Sequence, residues 1–123
     1  MFIRFVVGSP GDHHRGLSGP FSSARAAIEA GYADAFQEGR VQRLFDWFNE
    51  HMPCPPFDQG RFAVSATCWF KDTARDYIAN TRELVGILDE MGLPTHMYRS
   101  ANPGKILYED DIQVVVEEWS SLG

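Results

Sequence analysis

The stretch from Asp72 to Gly92 constrains this chain most. Ala74, Tyr77, Ile78, Thr81, Leu84, Val85, Leu88 and Met91 recur at three- and four-residue steps, which makes one face of a helix apolar. Asp72 or Thr73 starts it, and Thr73-Ala74-Arg75-Asp76 resembles a capping box with Asp in place of Glu or Gln. Gly92 stands where a left-handed residue closes a helix. Such a stripe has to be buried against something. On its amino side Phe62, Val64, Ala66, Cys68 and Phe70 alternate, which predicts a strand to Phe70 with those five facing inward. On its carboxyl side Thr95 to Arg99 reads as another strand. A strand–helix–strand crossover of this kind is right-handed and joins parallel strands.

The rest of the chain extends that unit. Phe2 to Val7 is an apolar strand stopped by Gly8-Ser9-Pro10-Gly11. Ser22 to Ala30 reads as a helix capped by Ser22 or Ser23, with Ala24, Ala27 and Ile28 inward and Gly31 at its end. A second helix runs from about Asp34 to His51. Its face is Val41, Leu44, Phe45, Phe48 and Met52, with Gly39 weakening its start. Pro53-Cys54-Pro55-Pro56 ends it, because proline cannot continue the ladder. Asn102-Pro103-Gly104-Lys105 predicts a type II turn, with Ile106 to Glu109 pairing back on the preceding strand. Asp110-Asp111 turns the chain again into a last strand, Ile112 to Glu118. The expected fold is α/β (α+β), in the order β-α-α-β-α-β-β-β. It has a single mixed sheet of about five strands, with helices packed on it and the last three strands forming a meander.

At 123 residues the chain fits one domain, and a 44% hydrophobic share with nine Phe, four Tyr and three Trp is ample for a core. No apolar run reaches the length of a membrane span, and the amino terminus has no signal-peptide layout. These features predict a cytoplasmic protein in which Cys54 and Cys68 are two thiols. Residues 1–82 balance nine acids with nine bases, so the net charge of −6 resides in residues 83–123. There Glu83, Asp89, Glu90, Glu109, Asp110, Asp111, Glu117 and Glu118 face only Arg99 and Lys105. General nucleic-acid binding needs a basic footprint and is not expected. An acidic surface aids solubility and suits a basic partner.

Ligands in α/β proteins tend to bind beyond the carboxyl ends of strands. If the first three strands were parallel, one edge would gather Asp12, His13, His14 and Arg15 with Lys71, Arg99, Asn102 and Lys105. Glu117 and Glu118 would join them if the last strand ran parallel to the third. The Glu109–Asp111 turn would lie at the opposite end. Arg15, Lys71, Arg99 and Lys105 are the candidates for holding a small anion, helped by backbone N–H groups at the helix start. His13 or His14, with Asp12 as orienter, is the candidate general base. The two histidines are adjacent, so their rings diverge in an extended loop, and His51 and His96 lie elsewhere. No metal is expected from this spacing. No cofactor is expected either, because Gly8-Ser9-Pro10-Gly11 is neither a phosphate loop, a dinucleotide fingerprint nor a nucleophile elbow. Cys68 is expected to be a small core residue. Trp47, Trp69 and Trp119 fall off the inward sets and are expected to cover the second sheet face or a helix boundary.

Cys68-Trp69-Phe70-Lys71-Asp72, Asn102-Pro103-Gly104-Lys105 and Tyr108-Glu109-Asp110 with Gln113-Val114-Val115 resemble a group of small bacterial proteins of uncharacterised function. The likeness covers Cys68 to Trp119 and implies a bacterial or phage-type intracellular setting. It carries no activity with it. The leading reading is a small intracellular binding or regulatory domain that binds a protein partner or itself through the sheet face or the acidic tail region. The alternative is a small hydrolase or transferase acting on an anionic substrate at the Asp12–Arg15 edge.

Overall fold

A computed structural model describes residues 1–8, 19–53 and 66–117. Its elements are β1 (Phe2–Val7), α1 (Pro20–Glu29), α2 (Ala35–His51), β2 (Thr67–Lys71), α3 (Arg75–Glu90), β3 (Thr95–Ser100), β4 (Lys105–Glu109) and β5 (Gln113–Glu117). The order β-α-α-β-α-β-β-β is the expected one. The five strands form one sheet in the order β3-β1-β2-β5-β4. None of the described helices is long and apolar enough to cross a membrane.

Strand direction departs from expectation. β1 runs antiparallel to β2, with Phe2 opposite Lys71 and Ile3 opposite Phe70. β2 is antiparallel to β5, and β5 to β4, so the sheet is antiparallel rather than mixed. One helical crossover brings the chain back to the end where the first strand began, which makes the next strand parallel. Two helices, α1 and α2, separate β1 from β2, so the single-crossover rule does not apply to that pair. β2 and β3 keep a common direction across α3, with β1 between them.

The expected meander is also only half present. β4 and β5 form the hairpin, with an irregularity between Ile106 and Tyr108. β3 and β4 stand at opposite ends of the strand order and do not pair. Gly104 is absent from the positive-φ glycines, so the type II turn does not form. Pro103 and Gly104 are buried and carry the chain onward between two strands of the same direction.

The chain divides into two compact units, one from described residues within 1–4, 52–78 and 99–123, the other within 5–51 and 79–98. In the second, Val7, Ala24, Val41, Leu44, Leu84, Ile87 and Leu88 form the core. Phe21, Ile28, Phe45, Met91 and Leu93 pack around it. The predicted stripes of all three helices supply most of this set, and Ile87 is an addition to them. In the first unit Trp69, Val114 and Val116 form the core, with Phe2 packed against it. Burying side chains of this size contributes about 1.5–3 kcal/mol each.

Helix ends follow local chemistry. α1 starts two residues earlier than expected, with Pro20 in its first turn and Gly19 as the flanking residue. Proline there lacks only an N–H that would go unbonded anyway. Ser22 is therefore not a cap: its Oγ donates back to the Gly19 carbonyl at 3.2 Å. Gly31 and Gly92, at φ 81° and 82°, close α1 and α3. In each case the next residue's N–H reaches back five residues, Tyr32 to Ala27 and Leu93 to Leu88, both at 3.0 Å. α2 starts on a reciprocal box. The Gln37 N–H donates to Asp34 Oδ1 at 2.7 Å, and the Asp34 N–H to Gln37 Oε1 at 3.0 Å. α3 begins at Arg75, two or three residues later than expected.

Candidate interaction surface

The residues expected to share one edge do not do so. Asp12, His13, His14 and Arg15 lie outside the described residues, as do Cys54, Glu118 and Trp119. Because β1 is antiparallel to β2, its carboxyl end points away from that of Lys71, and the common-edge argument does not hold. Lys105 opens β4 opposite Glu117, at the far end of that strand from Glu109. β2 and β4 share a direction, so Lys71 and Lys105 stand at opposite ends of their strands. Arg99 is exposed near the end of β3.

Lys71 instead meets the acidic turn that was expected to lie opposite it. Its Nζ is 2.6 Å from Glu109 Oε2. Glu109 thus neutralises the one candidate cation that sits at a helix approach. Next to it Asp110 organises the hairpin. Its Oδ1 accepts the N–H groups of Ile112 and Gln113 at 2.8 and 2.9 Å. Its Oδ2 accepts the Tyr108 hydroxyl at 3.0 Å and Gln113 Nε2 at 3.3 Å. The same Gln113 amide donates to the Pro53 carbonyl at 3.0 Å, which satisfies a buried polar side chain. Burial pushes the Asp110 carboxyl upward, but the hydrogen bonds outweigh it and hold the group below the ordinary carboxylate value. This is a structural pin, with its acceptor capacity already used.

The expected faces of β2 reverse. Trp69 is 8% exposed and central to its unit's core, whereas Cys68 is the exposed neighbour. The inward face of β2 is therefore the one opposite to that expected, because the indole has far more apolar surface to bury than a thiol. Trp69 Nε1 donates to Thr67 Oγ1 at 3.2 Å. Trp47 does lie at a helix boundary. It stacks on His51 at 4.6 Å and meets Phe48 edge-on at 5.0 Å.

The corner between α1 and α2 carries two exposed aromatic rings. Tyr32 is 71% exposed and Phe36 is 73% exposed, the most open large apolar side chains among the described residues. Neither sits on a loose backbone. The closing bonds of α1 hold Tyr32, and the Asp34–Gln37 box holds the first turn of α2 beneath Phe36. The Arg40 guanidinium lies over the Phe36 ring at 5.5 Å. Arg40 Nη1 donates to both carboxylate oxygens of Glu90 at 3.0 Å. The sequence carried a signal for this corner. Phe36 lies off the Val41-Leu44-Phe45-Phe48 stripe, so an apolar ring had no place in the core.

The chain matches no family model, no curated protein and no solved structure. Among the described residues no cluster of three or more His, Cys, Asp or Glu side chains could hold a metal ion.

Proposed function

We propose that this chain is a cytoplasmic protein-binding domain that presents the α1–α2 corner to a partner. The observation that supports the reading is the exposure of Tyr32 and Phe36 on a firmly hydrogen-bonded backbone. Large exposed aromatic rings are costly to leave in water, and they are among the residue types that dominate protein interfaces. A rigid backbone lowers the ordering cost of binding.

A photocrosslinking residue at position 36 tests this, with one at exposed Glu83 on α3 as the control. A discrete partner adduct is expected from position 36 and none from position 83. The partner, purified, should then bind the native chain and release Tyr32→Ser/Phe36→Ser, a variant that keeps its fold because both rings are exposed. Adducts of equal yield from both positions, or equal binding to the variant, would refute the proposal.

A further inference from the structure

We infer that Glu90, the last residue of α3, is a positioning residue for this corner: it holds Arg40, and Arg40 holds the Phe36 ring in the orientation a partner meets. This rests on the interaction reading above and names what sets its aromatic ring. The contacts form a chain across two helices. Arg40 Nη1 donates to Glu90 Oε1 and Oε2, each at 3.0 Å. The Arg40 carbon Cζ lies 5.5 Å from the centre of the Phe36 ring. Gln37, whose Oε1 takes the Asp34 N–H, directs its Nε2 to the same carboxylate at 3.5 Å. One side chain from α3 thus reaches both the first turn of α2 and the cation over Phe36.

Helix geometry makes this arrangement directional. Residues four apart lie one above the other on a helix, and their side chains lean toward its amino end. Arg40 therefore leans back over the turn that carries Phe36. A phenyl ring 73% open to solvent has few packing neighbours to choose its rotamer, and exposed side chains change rotamer within nanoseconds. The guanidinium supplies the missing neighbour, drawn to the ring face by its quadrupole. Without the carboxylate, that guanidinium would itself wander on a flexible stem. With it, the Arg40 side chain is only 23% exposed. An ion pair as open as this one, with Glu90 at 47%, adds little to stability. Its consequence is geometric: a ring already in place loses less freedom when a partner docks.

A double-mutant cycle with the purified partner captured through position 36 tests this. Glu90→Ala should weaken binding about three- to tenfold, the cost of ordering one side chain at an interface. In the Phe36→Ser background the same change should have no effect, because no ring remains to be placed. Glu83→Ala, which removes an equal charge from an exposed position of α3, is the control and should leave affinity unchanged. Side-chain NMR gives a readout independent of any partner. In the native chain the Phe36 ring should shift the Arg40 side-chain protons upfield. Glu90→Ala and Phe36→Ser should each abolish that shift while the core amides keep their dispersion. Where Phe36→Ser binds too weakly to measure, the Arg40 shift decides. Native affinity in Glu90→Ala, an equal loss in both backgrounds or in Glu83→Ala, or an unchanged Arg40 shift would overturn the positioning role and leave the corner standing. Phe36→Ser that binds as tightly as the native chain would instead overturn the interaction reading.

Discussion

Asp110 shows how one carboxylate organises its surroundings, accepting four hydrogen bonds and so fixing the β4–β5 turn and the Gln113 side chain. Replacing it with alanine leaves these donors without their acceptor, and Asp110→Ala should cost about 1–3 kcal/mol in urea unfolding. The pH dependence has a definite sign. Its folded-state value lies below its unfolded one, so its contribution is present above the ordinary carboxylate value of 3.8. It is lost as pH falls through the lower folded value. Native stability should therefore decline below about pH 4, and Asp110→Ala should lack that part of the decline. At Trp69, removal of the buried indole should cost about 3–5 kcal/mol, whereas Cys68→Ala should cost little. Alternation along β2 makes its two faces legible but not which one is inward. Trp69 and Phe70 both look like core residues, and only the neighbouring Val114 and Val116 decide between them.

At the scale of elements, helices were the most legible. Their stripes and closing glycines predict α1, α2 and α3 to within about three residues. The ends are less legible, because Pro20 and Ser22, or Thr73 and Arg75, compete for the first turn and the backbone can use only one register. Gly86 lies exposed within α3 with open space where a Cβ would go, so Gly86→Ala should raise stability by about 0.5–1 kcal/mol. Gly92 also has open space, but its φ of +82° strains any other residue, so Gly92→Ala should lower stability by about 1–2 kcal/mol. Thermal unfolding of the two variants in parallel separates these effects by sign. Strand pairing was harder to read. Asn102-Pro103-Gly104-Lys105 has hairpin composition, yet the turn rule sees four residues and cannot see that β1 occupies the place beside β3. The Asp110 turn was legible because its two strands do pair.

For the whole molecule, the element order could be read from the sequence, but strand direction could not, and the site argument depended on direction. Once β1 opposes β2, the proposed edge loses its common location. Lys71 pairs with Glu109 instead of awaiting an anion. Relative exposure along α2 was legible. Phe36 and Phe48 are the same residue type in one helix, but one is 73% open and the other 6%. Phe48 lies on the apolar stripe and Phe36 off it. The acidic excess looked like a property of the last third of the chain. Within it, Glu90 and Glu109 neutralise cations and Asp110 pins a turn. The most direct measurement is amide chemical-shift mapping of the isotope-labelled chain titrated with the purified partner captured through position 36. The account predicts perturbations centred on residues 29–40, with the β4–β5 hairpin unmoved. Perturbations centred on that hairpin, with residues 29–40 silent, would contradict it.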